Sequence, residues 1–140
     1  MGHGSRTDRV ERLFLALILS QALHSIEEYV FRLYDVLAPA RWVSGLLGID
    51  RALGFVIANT LLVAFGLWCY FARVRPSHPA GRGWAWFWTI LEASNGIIHL
   101  GLAAAAGGYF PGAATAPLLI AVSGVLGANL YRRSGPEQLW

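Results

Sequence analysis

A bundle of four membrane-spanning helices is the fold that this sequence predicts, and three observations predict it. Of the 140 residues, 56% are apolar and only 14% are charged, where soluble domains carry about a quarter charged residues. The mean hydropathy is +0.49. The apolar residues are gathered into four runs, each near the roughly 20 residues that cross a bilayer as a helix. Short stretches rich in Pro, Gly and Arg separate them. The length leaves no room for a second, soluble module, so one all-α polytopic membrane domain is expected over residues 1-140.

The first run, 13-34, follows a polar segment from Met1 to Arg12. It has no small-residue cleavage site and bears charges at its far end, so it reads as a retained span rather than a signal peptide. The second run covers 52-72 and the third 84-106; the fourth, 116-131, is close to the minimum length for a span. Connections fall at Pro39 to Asp50, Arg73 to Gly83 and Gly107 to Thr115. Four spans place both termini on the same side as the second connection. That side collects Arg6, Arg9, Arg12, Arg73, Arg75, Arg82, Arg132 and Arg133, against Arg32, Arg41 and Arg51 opposite. The positive-inside rule then puts both termini in the cytoplasm, with the chain in the plasma (inner) membrane.

Read this way, the arginines report topology, and no nucleic-acid partner is expected. Trp84, Trp86 and Trp88 fit an aromatic belt at the cytoplasmic interface. Gly101 with Ala105, and Gly124 with Ala128, have the spacing of small residues that let helices approach closely in a bilayer. Cys69 is the only cysteine, which excludes an intrachain disulfide or a thiolate cluster, and it reads as a small buried hydrophobe.

Polar residues interrupt two of the runs. The first contains His24-Ser25-Ile26-Glu27-Glu28, and the third contains Glu92, Asn95 and His99. Each ionisable residue at membrane depth costs roughly 2.5 to 3.5 kcal/mol on insertion scales, so three glutamates need compensation. In a helix Glu27 and Glu28 lie three and four residues from His24, on one face, with Gln21 a turn before. Glu92, Asn95 and His99 form a single stripe at i, i+3 and i+7. The first and third spans run in the same direction, and at about 1.5 Å per residue the two stripes share one level of the bilayer.

Two histidines, three glutamates and an asparagine around one point suit a divalent metal. Helix bundles that hold carboxylate-bridged metals use a similar inventory, and imidazole with carboxylate favours zinc, iron or manganese. The spacing therefore nominates His24, Glu27, Glu28, Glu92, Asn95 and His99 as ligands, for one or two ions of zinc or iron, with Glu27 or Glu28 as a spare general base. A metal-free network, with protonated histidine paired to glutamate, satisfies the same inventory.

The HSIEE stretch, Asn95 with His99, and Tyr109-Phe110-Pro111-Gly112 occur in series over about two thirds of the chain. In these three signatures the sequence resembles the HXXEE-domain membrane proteins. The resemblance implies a membrane-embedded protein without an assigned activity. It supports His24, Glu27, Glu28 and His99 acting together and adds Tyr109, Pro111 and Gly112, while Glu92 rests on spacing alone. The Pro-Gly pair reads as a turn; folded back as a lid, the same loop would bring the Tyr109 hydroxyl to the site as a catalytic group.

The function expected is a metal-dependent membrane enzyme acting on a lipid or other lipophilic molecule by hydrolysis or oxidation, with a homodimer possible in a chain this small. The alternatives are a metal-free isomerase or hydratase with a His/Glu acid–base pair, and a non-catalytic protein that binds lipid, protons or metal. Asn59, mid-span in the second run, reads as an interhelical hydrogen-bonding residue. Arg32 and Asp35 read as a pair near the outer interface.

Overall fold

The computed structural model describes residues 3–46, 48 and 50–132, with side chains from residue 8 onward; Arg133 and the terminal residues beyond it lie outside this range. Six α-helices follow one another: α1 His3–Val30, α2 Leu33–Val36, α3 Ala38–Gly45, α4 Arg51–Cys69, α5 Gly81–Ala106 and α6 Ala116–Tyr131. No strand occurs among the described residues. Two stretches, Asp8–Val30 and Arg51–Val74, are long and apolar enough to cross a membrane, and α6 is a shorter apolar helix. Helix α5 has the length of a span, but Glu92, Asn95, His99 and its tryptophans dilute its apolar character.

The helix limits have local causes. α1 runs without a break to Val30 and stops where Arg32 takes a left-handed conformation, φ 56°. The predicted first run, 13-34, is thus cut: Leu33 and Tyr34 belong to the short α2, which turns across the end of the bundle. Arg32 Nη2 lies 2.8 Å from Asp35 Oδ2 at this turn, as the sequence suggested. Pro39 stands in the first turn of α3, where its missing N–H is not needed. Asp50 caps α4, its Oδ1 accepting from Leu53 N–H at 3.1 Å. α4 ends in a π-helical turn, Tyr70–Val74. α5 ends on left-handed Gly107, and α6 begins with Pro117 in its first turn.

Contacts between helices set their directions. Gln21 and His24 of α1 meet Asn95 and His99 of α5, so these two helices run parallel. Ser25 meets Asn59, and Gly66 meets Ile18, so α4 is antiparallel to α1. Helix α6 is antiparallel to α5, with Gly96 against Ala116 and Ile120, and Gly127 against Thr89 and Trp86.

The core lies towards the N-terminal half of α1, where Phe14, Leu17 and Ile18 pack with Cys69, Trp88, Leu126 and Leu130. Cys69 is buried there as expected. Trp88 is fully buried, while Trp84 and Trp86 are half-buried. Trp84 meets Phe65 edge-on and Trp88 meets it at a tilt, so both help fill the α4–α5 contact. A second small cluster, Leu33, Tyr34 and Phe55, closes the other end. The polar stripes lie between these two apolar clusters.

The expected packing pairs are also reassigned. Gly101, Ala105, Gly124 and Ala128 are exposed, and a Cβ at either glycine would meet nothing within 4 Å. The close approach is at Gly96, where a Cβ would lie 2.7 Å from Ile120 Cγ1 and 2.8 Å from the Ala116 carbonyl oxygen. Backbone cannot yield as a side chain can. Gly96→Val should therefore destabilise the fold by about 1–3 kcal/mol through overpacking, whereas Gly101→Val should not. Thermal unfolding in detergent would show this, and equal losses for the two variants would contradict the assignment.

Candidate metal centre

One turn of α1 presents His24, Glu27 and Glu28, and α5 brings His99 to the same level. All four side chains are buried. Glu28 Oε1 lies 3.1 Å from His99 Nε2 and 3.4 Å from His24 Nε2. The imidazole rings meet edge-on, their centroids 4.7 Å apart. Ligand atoms from His24, Glu28 and His99 all fall within 4.8 Å of one another, close enough together that they could hold a metal ion.

Hydrogen bonds on the far side of each ring assign its tautomer. His99 Nδ1 is 2.6 Å from the Pro111 carbonyl oxygen, which can only accept, so Nδ1 carries the hydrogen. His24 Nδ1 is 2.7 Å from Thr115 Oγ1. The Thr115 hydroxyl hydrogen is already given to Glu27 Oε2 at 2.5 Å, so Oγ1 accepts from His24 and this Nδ1 also carries a hydrogen. In the neutral rings both Nε2 atoms then expose a lone pair towards Glu28 Oε1. The approach of His24 Nε2 to Glu28 is not a hydrogen bond, and that nitrogen is buried without a partner. Three acceptors converge where one positive charge, a proton or a cation, would satisfy them together.

Glu27 is placed differently from the sequence reading, which counted it as a ligand and base. Its Oε1 accepts from Tyr109 Oη at 2.5 Å and from Ala114 N–H at 3.0 Å. Its Oε2 accepts from Thr115 N–H at 2.8 Å and from the Thr115 hydroxyl. Both oxygens are thereby taken, at the positive end of the α6 dipole. Glu27 fastens the 107–115 loop to α1 instead of joining the group of His24, Glu28 and His99.

The loop is the roof of the site. At Gly112 φ is 92°, and a Cβ there would sit 2.4 Å from His99 Nδ1 and 2.8 Å from His24 Cε1. Only glycine allows both this conformation and this approach. Phe110 packs beside His99, with ring centroids 6.0 Å apart. The Tyr109 hydroxyl reaches Glu27 rather than the three converging atoms, so the loop is both the turn and the lid that its sequence allowed. Desolvation of the hydroxyl and the Glu27 carboxylate beside it push the Tyr109 pKa above its ordinary value, which keeps the phenol protonated as a donor.

Glu92 and Asn95 share the α5 stripe but do not reach the group. Glu92 sits two turns before His99, about 10 Å along the axis, and is 1% exposed, with Oε2 lacking a partner. The Asn95 amide lies against the Glu92 carboxylate and donates to Gln21 Oε1 at 3.4 Å. The residue that sequence reasoning missed is Thr115. Its position just before Ala116-Pro117 marks a helix start, yet the hydroxyl caps nothing in its own helix and serves Glu27 and His24 instead.

Residues 15–126 match the family described as a protein of unknown function with an HXXEE motif. The chain belongs to the HXXEE family. His24, Glu27 and Glu28 are the named letters of that motif, and the structure divides their work between the convergent group and the loop anchor. No curated protein and no solved structure matches the chain.

Tyr109→Phe, which removes one neutral donor from a charged acceptor, should cost about 1.5 kcal/mol. Thr115→Val should cost more, because it also strips His24 Nδ1 of its acceptor. Melting temperatures in detergent test the ranking; an unchanged value for Thr115→Val would show that the hydroxyl does not hold the loop.

Proposed function

We propose that this HXXEE protein is an integral membrane metalloenzyme in which His24, Glu28 and His99 hold one divalent transition metal, zinc or iron. The observation that carries the reading is the convergence of two histidine Nε2 lone pairs on a carboxylate oxygen, with each Nδ1 committed to an acceptor elsewhere. The fit is that of a metal site: an orphaned buried nitrogen at His24, and ring orientations fixed by outer partners, as in metal-ligating histidines generally. One ion suits the group better than two, since both Glu27 oxygens are taken.

Three protein ligands would leave at least one position on a divalent metal free for substrate or water, the pattern of catalytic sites. A bound divalent metal would supply Lewis-acid chemistry or, if iron, redox chemistry. Around it the chain contributes a desolvated pocket, with Gly112 and Phe110 excluding water from above and the apolar core closing it below. Glu27 and Tyr109 hold that roof in place. Glu92 is the buried carboxylate left over, with one oxygen that lacks a partner.

The membrane setting is part of the proposal. We infer four spans, α1, α4, α5 and α6, with both termini cytoplasmic by the distribution of arginines in the plasma (inner) membrane. Leu19, Ile26, Leu61, Ile90, Ile97 and Tyr131 are among the large apolar side chains left exposed on the outward faces, which a bilayer would cover. A site at this depth favours a lipophilic substrate, hydrolysed or oxidised.

The 3.1 Å contact of His99 with Glu28 supports a second reading. With a proton in place of the metal it becomes an acid–base pair, suited to a metal-free isomerase or hydratase.

Elemental analysis of detergent-purified protein distinguishes the two readings. About one equivalent of zinc or iron is expected, lost in His24→Ala and His99→Ala, retained in Glu92→Gln, and bound about 10–100-fold more weakly in Thr115→Val. A folded protein that takes up no metal would leave the acid–base pair as the surviving reading. Reporter tags should place both termini in the cytoplasm; tags on opposite sides would contradict four spans.

A further inference from the structure

A groove of about 420 Å³ runs between α1 and α4 on the side of α1 turned away from His24. Its walls are apolar, with Ile26, Tyr29, Phe55, Val56, Val63 and Leu67 the largest contributors, and the small side chains of Ala22 and Ala64 give it depth. Along α4 it extends from Phe55 to Leu67, twelve residues or about 18 Å. This is long and narrow for its volume. Its walls are the two helices with the length and apolar character of membrane spans.

One polar notch interrupts the groove, formed by Ser25, Asn59 and Thr60. Ser25 Oγ donates to Asn59 Oδ1 at 2.7 Å and accepts from Gln21 Nε2 at 3.0 Å. Asn59 Nδ2 gives one hydrogen to the Phe55 carbonyl oxygen at 3.1 Å. An amide nitrogen has two hydrogens, so the second remains for a ligand acceptor. From Asn59 the groove continues two turns towards Leu67 without another polar group, and one turn towards Phe55 and Tyr29 at the end of the bundle.

We propose that this groove binds one acyl chain of a membrane lipid, its ester carbonyl accepting from Asn59, its tail running along Val63 and Leu67, and its headgroup leaving past Tyr29. Room for one chain, a single acceptor-seeking notch and a longer apolar arm on one side match an acyl ester. A chain without a carbonyl would leave the amide hydrogen unused. The inference rests on the membrane reading and is independent of the metal.

The test uses the full chain in nanodiscs of phosphatidylcholine carrying a diazirine on its acyl chain, with cross-links mapped by mass spectrometry. Labelling should concentrate on residues 22–29 and 55–67. It should be lost in Ala64→Trp and in Ala22→Phe, which fill the groove from opposite walls, so that one variant's failure to fold leaves the other decisive. Asn59→Leu should shift the cross-links along the groove as the carbonyl loses its anchor. His24→Ala should leave labelling unchanged, which separates this inference from the metal proposal. Labelling spread evenly over the outward residues Leu19, Ile90 and Ile97, or confined to a diazirine fatty acid supplied free, would overturn it.

Discussion

The hydroxyl of Thr115 is the joint on which the rest of the centre depends. It gives its one hydrogen to Glu27 and is thereby left to accept from His24. That single choice holds the 107–115 loop against α1, fixes the His24 ring, and turns its Nε2 towards Glu28 and His99. Glu27 makes the choice for it: a buried carboxylate with two backbone N–H groups and two hydroxyls around it has no capacity to donate. The two adjacent glutamates of the motif therefore work in series. The first organises the loop that orients the histidines, and the second completes the group that they form.

Energetics make this division necessary. A carboxylate removed from water must be compensated by hydrogen bonds or by an opposite charge. Glu27 is compensated by four donors and a helix terminus. Glu28 is left to the histidines, and since both rings spend their Nδ1 hydrogens elsewhere, it needs a shared proton or cation. The roof that keeps water out is made of backbone, which is why glycine stands at position 112. A side chain there would occupy the space of the imidazoles themselves.

Much of this was legible in the sequence. Helical spacing and a rise of 1.5 Å per residue set His24 and His99 at one depth, and the structure puts their rings in contact. The fourth run has the limits of α6, and Asn59 makes the interhelical hydrogen bond that its position suggested. What spacing could not supply was the return of the loop. Glu27 and Glu28 are equivalent by periodicity, and only the tertiary approach of Tyr109, Ala114 and Thr115 separates them. Glu92 was misjudged for the complementary reason: a shared stripe fixes a face, while reach along the axis is two turns too short. Likewise Gly96 and Gly101 look alike as small residues in a helix, and only the position of α6 shows which one is needed.

The central claim is that both rings carry the hydrogen on Nδ1 and present a bare Nε2 to Glu28. Nuclear magnetic resonance of the protein in detergent, with ¹⁵N-labelled histidine and His24→Gln and His99→Gln variants for assignment, reads this directly. Protonated Nδ1 and unprotonated Nε2 are expected at both residues. An Nδ1 without its hydrogen in either ring of the wild-type protein would contradict the account.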